Sequence, residues 1–121
     1  KQPVLPNKAE LLKGKVFVGV GSYKPDMQEF PDVLFELVDE VWIDAEHGKK
    51  ESGDLINPLE KGLIKESSIK HIRELITNPD EYANGKTKIY KTVGEGVFDL
   101  FAAKLVYEKA NEMNMGVNVE L

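Results

Sequence analysis

Two short runs of apolar, β-prone residues constrain the fold of this chain more than any other feature. Val16–Val20 reads Val-Phe-Val-Gly-Val, and Glu40–Ala45 reads Glu-Val-Trp-Ile-Asp-Ala. Continuous apolar runs of this length lack the polar–apolar alternation of a half-solvated strand. They are typical of strands covered on both faces, as in parallel sheets. The sequence therefore predicts a buried, mainly parallel sheet.

Helical patterns separate the predicted strands. The apolar spacing within Val33–Val38 predicts a helix that packs on a sheet. A second, short helix is predicted for Asp54–Lys61, and Ser67 or Ser68 would cap a third that runs through Ile76. The residues expected to face inward in that third helix are Ile69, Ile72, Leu75 and Ile76.

The segment after Lys86 reads as a third strand, a glycine turn and the longest helix. The strand is predicted over Lys86–Tyr90, an amphipathic helix over Asp99–Asn114 and a last short strand over Val117–Leu121. The apolar residues at helical spacing are Leu100, Ala103, Val106, Tyr107 and Ala110. Strands that alternate with helices in this way predict an α/β fold with flanking helices. Glu46–Gly53 and Asn78–Gly85 are predicted to be loops.

Composition excludes several classes of protein. The 121 residues suit one domain, and the absence of cysteine rules out disulfides and thiolate metal sites. A net charge of −5 argues against non-specific binding to nucleic acid or to an anionic membrane surface. No run approaches the roughly 20 apolar residues of a membrane span. A cysteine-free chain fits a cytoplasmic location.

Three loops follow the predicted strands: Gly21–Asp26, Glu46–Gly53 and Val93–Gly96. If the strands are parallel, these loops share the sheet edge at which α/β folds bind ligands. Gly94 and Gly96 lie where a strand becomes a helix. Glycine there permits a sharp turn or the close approach of a ligand to free backbone N–H groups.

The first loop offers candidate ligand contacts. Gly21 permits close backbone approach, Ser22 offers a hydroxyl, and Tyr23 offers a ring and a phenol. An ordinary strand-to-helix connection, directed by Pro25, is an equally good interpretation. Glu29 is better explained by a capping or helix-dipole contact than by catalysis.

The other two loops carry weaker signals. The second contains Asp44, Glu46 and His47, followed by Asp54; this spacing matches no standard metal-ligand pattern, so a solvated acidic loop is favoured. His71 is interpreted as a surface or packing residue on a helix.

In the third loop, Thr92, Val93 and Gly94 would present backbone and a hydroxyl to a ligand, with Asp99 in the first turn of the following helix. The chain contains no Gly-x-Gly-x-x-Gly fingerprint and no phosphate-binding loop of the Walker type.

Five motifs, taken in order, resemble the ornithine cyclodeaminase/mu-crystallin family over nearly the whole chain. They are Val20-Gly21-Ser22-Tyr23-x-Pro25-x-x-x-Glu29, Ile43-Asp44-Ala45, Glu51-Ser52-Gly53-Asp54-Leu55, Tyr90-Lys91-Thr92-Val93-Gly94 with Asp99, and Met115-Gly116. The resemblance covers only the C-terminal portion of the family's proteins. It implies that residues 1–121 form part of a Rossmann-like domain, with residues 97–121 leading back towards a dimerisation domain.

The resemblance also implies a cofactor and a substrate class. Members of the family bind NAD(H) or NADP(H), act on small amino or imino acids, and form homo-oligomers. By position, the cofactor-binding residues are Val20, Gly21, Ser22, Thr92, Val93 and Gly94. Val20 resembles the residue that packs near the nicotinamide, and Thr92–Gly94 the turn that faces nicotinamide and substrate.

Tyr23 departs from the family pattern. It stands where true ornithine cyclodeaminases place a catalytic aspartate, which can relay a proton or orient water. A phenol keeps its proton near neutrality and is a poor base. Tyr23 is thus the catalytic candidate by its position, but it does not match the aspartate in chemistry. The departure favours a reductase or dehydrogenase. The family's dinucleotide loop and catalytic lysine precede the matched portion, so we expect this chain alone to be inactive.

Two further interpretations remain open from the sequence. The chain could be a non-enzymatic module that binds a small molecule on the same scaffold, as mu-crystallin does. It could also be only a stable folding unit that hides its sheet edges by self-association. In either case we expect a dimer or a larger assembly, because apolar surface would otherwise face water.

Overall fold

Four strands form a single parallel sheet in the computed structural model, which describes residues 2–117 and 119. The strands are β1 (Val16–Gly19), β2 (Val41–Ile43), β3 (Ile69–His71) and β4 (Lys88–Lys91). Their order across the sheet is β1-β4-β2-β3, and every neighbouring pair is parallel. The predicted α/β class with a parallel sheet is confirmed.

Short helices connect the strands, and one long helix follows β4. The helices are α1 (Ala9–Leu12), α2 (Asp32–Phe35), α3 (Gly48–Glu51), α4 (Gly53–Glu60), α5 (Ile72–Thr77), α6 (Pro79–Tyr82) and α7 (Gly96–Glu112), with a 3-10 turn over Glu66–Ser68. Helix α4 confirms the helix predicted there, and α2 is shorter than its apolar pattern suggested. Helices α3 and α6 lie in segments predicted to be loops.

The helix predicted from Ser67 or Ser68 through Ile76 is wrong in its first half. Residues 69–71 form strand β3, in which Ile69 pairs with Val41 and His71 with Ile43. Pairing with the buried strand β2 overrides the local helical spacing. Helix α5 starts only at Ile72, and Ile76, expected to face inward, is 71% exposed.

The core lies between one face of the sheet and the helices that precede and follow β2. Its buried members are Leu12, Phe30, Leu34, Phe35, Val41, Ile43, Leu55, Ile64, Ile69 and Ile89. Phe30 stands edge-on to both Phe17 and Phe35. Because side chains alternate along a strand, Trp42 lies on the other face, where its ring packs edge-on against Tyr82 at 4.6 Å.

Helix α7 is confirmed as the longest helix but not as an amphipathic one that packs on this sheet. None of its described side chains is buried, and Phe98, Leu100, Phe101, Leu105 and Val106 are 54–68% exposed. The edge strand β1 leaves Val16 and Val18 exposed, so the prediction of a strand covered on both faces is wrong for this run, whereas it holds for β2, whose three residues are all buried. The strand predicted for Val117–Leu121 lies largely outside the described residues. Among the described helices, none is long and apolar enough to cross a membrane.

Candidate functional site

The loops that follow β1, β2 and β4 meet at one edge of the sheet, as the sequence predicted. Gly19 ends β1, and its carbonyl accepts a hydrogen bond from the Thr92 N–H at 3.1 Å. The Thr92 hydroxyl donates to the Asp44 carboxylate, which follows β2. The second loop also reaches the third through His47, whose Nδ1 lies 3.4 Å from Glu95 Oε1. This edge is therefore a continuous surface built from three segments.

The Glu29 side chain fixes the first loop by binding the backbone of that loop. Its Oε2 accepts hydrogen bonds from the N–H groups of Gly21 at 2.8 Å and Ser22 at 3.2 Å. A Cβ at position 21 would lie 2.6 Å from Glu29 Oε1, so only glycine leaves room for this contact. The capping or helix-dipole contact expected for Glu29 is wrong, because its carboxylate bonds to loop amides and not to a helix terminus.

Ser22 turns its hydroxyl into the protein. Its Oγ donates to the Met27 carbonyl at 2.6 Å and lies 3.0 Å from Ser52 Oγ. Both serine side chains are fully buried. The expectation that Ser22 offers a hydroxyl to a ligand is therefore wrong. A contact between its backbone and a cofactor stays a prediction.

The first residue of helix α4, Gly53, is in close contact with the backbone of the same loop. A Cβ at Gly53 would lie 2.2 Å from the Met27 carbonyl oxygen and 2.6 Å from that of Pro25. The Gly53 N–H donates to the Lys24 carbonyl at 3.1 Å. Ser52 caps the helix by accepting from the Asp54 N–H at 3.2 Å. Residues 21–30, called here the Gly21–Phe30 loop, are thus fixed from two sides.

Asp54 and Lys91 are buried beneath this loop, which the sequence did not predict. Asp54 Oδ1 accepts from the N–H groups of Glu29 at 2.8 Å and Phe30 at 3.0 Å. Lys91 Nζ lies 3.7 Å from Asp54 Oδ2 and 3.5 Å from Glu29 Oε2. Burial raises the pKa of Asp54, and the two amide bonds and the nearby lysine only partly oppose it. The solvated acidic loop is therefore a wrong interpretation for Asp54.

One sequence signal could have found the lysine. Side chains alternate along β4, so Lys91 shares a face with Ile89, and both are buried. A lysine on the core face of a parallel strand requires a carboxylate partner. The alternation of side chains along β4 therefore indicates that Lys91 is buried. It does not identify the carboxylate partners, Glu29 and Asp54, which lie far away in the sequence.

The turn after β4 faces open space. Gly94 has φ +89°, a conformation that favours glycine, and its N–H donates to Thr92 Oγ1 at 3.0 Å. A Cβ at Gly94 or Gly96 would meet no atom within 4 Å among the described residues. Val93 packs beside Gly48, at 3.8 Å from the position a Cβ would take there. The close approach that glycine permits at this turn is thus not made by the described part of this chain.

Two of the other candidate residues, Val20 and Tyr23, are exposed. Val20 and Tyr23 are 60% and 52% exposed, beside the exposed backbone of Gly21. Near the third loop, burial and the negative charge of Asp44 raise the pKa of Tyr90. His71 lies in β3 and not on a helix, and its Nδ1 accepts from the Arg73 N–H at 3.1 Å. Across residues 2–117 and 119, no group of three His, Asp or Glu is placed to hold a metal ion.

Known proteins resemble this chain over nearly its whole length. No protein-family model matches the sequence. A Δ1-pyrroline-2-carboxylate reductase from Bacillus cereus is 33% identical over 98% of this chain. The ketimine reductase mu-crystallin of Mus musculus is 33% identical over 74% of this chain. The chain spans only 37% and 26% of the lengths of these relatives.

A solved structure resembles the fold as well. The Δ1-pyrroline-2-carboxylate reductase of Thermococcus litoralis, in complex with NADH and L-proline, superposes with a TM-score of 0.77 at 29% identity. The match covers 97% of this chain and 37% of that one. This chain is a homologue of the C-terminal portion of the ornithine cyclodeaminase/mu-crystallin family. The resemblance stated from the five motifs, and the Rossmann-like α/β fold it implied, are confirmed.

The residues at the edge of the sheet fit part of a nicotinamide cofactor. An exposed apolar side chain, Val20, and an open glycine turn at Gly94 can border a flat ring. The family's Gly-x-Gly-x-x-Gly loop, which binds the phosphates, has no counterpart in this sequence. Val20 and the turn at Gly94 are thus open to a flat ring, and that phosphate-binding motif is not part of this sequence.

Proposed function

We propose that this chain forms one side of the nicotinamide and substrate pocket of an NAD(P)H-dependent reductase of a small cyclic imino acid. The observation that carries the proposal is the shared sheet edge, where the fixed Gly21–Phe30 loop stands beside the open turn at Gly94–Gly96. The relatives add the substrate class, because they are named as reductases of Δ1-pyrroline-2-carboxylate and ketimines. They give no support to the non-enzymatic binding module.

The proposed activity belongs to a longer protein. The matched relatives are about three times as long as this chain, which spans 37% of the Bacillus cereus reductase. We therefore assign the phosphate loop and the substrate lysine to a segment N-terminal to the matched portion, and we call the complete protein the parent protein. The present chain is its C-terminal part and is inactive alone.

Each predicted residue has a role in this proposal. A reduced nicotinamide supplies a hydride when it is bound. Val20 would border the ring with its exposed isopropyl group, and the amides of Gly21 and Ser22 hold the loop that carries Val20 in place. Thr92, Val93 and Gly94 would border the nicotinamide and the substrate. The hydrogen bonds of Thr92 to Asp44 and to the Gly94 N–H fix that turn.

Tyr23 distinguishes a reductase from a cyclodeaminase. Its exposed phenol can donate a hydrogen bond to the substrate carboxylate, whereas an aspartate at this position would act as a base. The proposal accordingly assigns imine reduction, and not the release of ammonia from ornithine, to the parent protein.

The experiment uses the parent protein with NADH, NADPH and Δ1-pyrroline-2-carboxylate, and follows the loss of reduced-cofactor absorbance. We expect turnover, and a fall in kcat/KM of about 10- to 100-fold in Tyr23→Phe, the range expected for a lost hydrogen bond to a charged group. The control is Tyr82→Phe, because Tyr82 packs on Trp42 away from this edge; this variant should leave kcat/KM unchanged. A parent protein that binds neither NADH nor NADPH would overturn the proposal.

We further propose that the parent protein is a cytoplasmic homo-oligomer. The support is the exposed apolar surface of helix α7, which a second copy or another segment would remove from water. Light scattering tests the oligomeric state, and a monomeric parent protein would contradict it. Cell fractionation tests the location, for which the absence of cysteine is the only support.

A further inference from the structure

The buried charges beneath the Gly21–Phe30 loop have no part in the function proposed so far. The Lys91 cluster consists of Lys91, Glu29 and Asp54. The Lys91 and Asp54 side chains are 1% and 0% exposed, and that of Glu29 is 28% exposed. One ammonium thus lies between two carboxylates in a site that is almost closed to water.

Both carboxylates of the cluster also accept hydrogen bonds from backbone N–H groups of the Gly21–Phe30 loop. Glu29 accepts from the N–H groups of Gly21 and Ser22 at the start of the loop. Asp54 Oδ1 accepts from the N–H groups of Glu29 and Phe30 at its end. The cluster therefore holds both ends of the segment that carries Tyr23.

Lys91 is the group that keeps the two carboxylates together. Asp54 Oδ2 is buried with no hydrogen-bond partner among residues 2–117 and 119, and the Lys91 ammonium lies 3.7 Å from it. Two carboxylates that share a buried site repel each other unless a cation lies between them. The Lys91 side chain is itself only 1% exposed, so its ammonium is closed off from bulk water.

We propose that Lys91 is a positioning residue: through Glu29 and Asp54 its ammonium sets the place of the Gly21 and Ser22 amides, and thereby of Val20 and Tyr23 beside the substrate. Its effect on turnover rests on the proposed function. Its effect on the loop does not, because the contacts lie entirely within this chain.

The test compares three variants of the parent protein. Lys91→Met removes the ammonium and keeps an unbranched side chain of similar length. In Lys91→Met/Glu29→Gln the removed positive charge is matched by a removed negative one, and the amide oxygen of the introduced glutamine can still accept from Gly21 and Ser22. Lys88→Met is the matched control on the same strand, because the Lys88 ammonium bonds to Asn84 at the surface.

Two readouts are measured: hydrogen exchange at the Gly21 and Ser22 amides, and the steady-state kinetics of imine reduction. In Lys91→Met we expect exchange at both amides to rise at least about tenfold, and kcat/KM to fall by a similar factor. The double variant should recover both readouts to within about threefold of the wild type, although it still lacks the lysine. Lys88→Met should match the wild type.

Recovery in the double variant is what a purely structural lysine would not give, since both variants lose the same buried side chain. Unchanged amide exchange in Lys91→Met would overturn the proposal, as would a double variant that is no better than the single one. If Lys91→Met does not fold, the double variant decides alone: wild-type exchange supports the proposal and fast exchange overturns it. If the parent protein fails to bind NADH or NADPH, the proposed function falls, while the exchange data still decide the role of Lys91.

Discussion

Helices α4 and α7 both begin with a glycine at the same edge of the sheet, but their surroundings are opposite. At Gly53, the start of α4, a Cβ would be forced against two backbone carbonyl oxygens of the Gly21–Phe30 loop. At Gly96, the start of α7, a Cβ would meet nothing within 4 Å. The first glycine is needed by contacts inside this chain. The second is not needed by any contact among the described residues, which supports the ligand site proposed at this turn.

The difference extends along both helices. Helix α4 buries Gly53, Asp54, Leu55 and Pro58. Helix α7 is twice as long, with 17 residues against 8, and none of its described side chains is buried. Helix length alone therefore does not show which helix contributes to the stability of the folded unit. In this chain the short helix does so, and the long one presents apolar surface.

The largest expected contrast is between one leucine on each helix. Leu55→Ala should lower the free energy of unfolding by about 2–5 kcal/mol, because Leu55 is fully buried in the core. Leu105→Ala, at a side chain that is 58% exposed, should change it by less than about 0.5 kcal/mol in the present chain. Urea titration of the two variants measures both values. Equal losses would show that α7 is packed in solution.

The two glycines provide the next contrast. Gly53→Ala should cost about 1–3 kcal/mol, because the new methyl group overlaps the Met27 and Pro25 carbonyl oxygens. Gly96→Ala should be neutral or slightly stabilising in this chain, since alanine favours the helix and has open space. In the parent protein the same Gly96→Ala should weaken NADH binding, as measured by fluorescence titration. Unchanged NADH affinity would contradict the role given to the turn.

A smaller effect is expected from the pH dependence of the buried carboxylate. Burial raises the pKa of Asp54 above its ordinary value of 3.8. The stability that protonated Asp54 contributes is thus present below that value and is lost as the pH rises through the folded-state pKa. Relative to Asp54→Asn, the wild type should lose stability across this acidic interval and then run parallel to it. A wild type that instead gains stability over Asp54→Asn with rising pH would contradict the raised pKa.

The smallest effect is expected on the exposed helix. Lys104 and Glu108 form an i, i+4 ion pair at 3.7 Å on α7. Lys104→Met should cost no more than about 0.5 kcal/mol, and high salt should remove the difference. Thermal unfolding at low and high salt checks this. A loss comparable to that of Leu55→Ala would mean that α7 carries contacts that the present chain does not show.

The strands and the shared edge of the loops could be predicted because they depend on local composition. Val16–Val20 and Glu40–Ala45 are apolar and β-prone enough to specify strands by themselves, although only the second of these strands is buried on both faces. The segment at Ile69 could not, because its extended form comes from pairing with Val41, which no local pattern contains. Its apolar spacing instead matched a helix.

Candidate site residues could be proposed where they lie in short sequence motifs. They could not be proposed where a contact joins residues that are far apart in the chain. The order of the motifs predicts Val20, Gly21 and Gly94 as cofactor-binding residues and Tyr23 as a catalytic one, and these roles stay predictions. The Lys91 cluster was missed because its three members lie 25 to 62 residues apart in the chain and meet only after folding. Ser22 was misjudged for the same reason, since Ser52, thirty positions away, accounts for the orientation of its hydroxyl.

The most direct measurement is amide hydrogen exchange of the parent protein with and without saturating NADH. The turn at Gly94–Gly96 is open in this chain, so NADH should slow exchange at the amides of Gly96 and Val97, whereas the Gly94 N–H is already bonded to Thr92 Oγ1 and should change little. The N–H groups of Glu29 and Phe30 are already bonded to Asp54 and should change little. Protection at the turn with little change at the loop is the predicted result. No protection at Gly96 and Val97 under saturating NADH would contradict the assignment of this edge to the nicotinamide pocket.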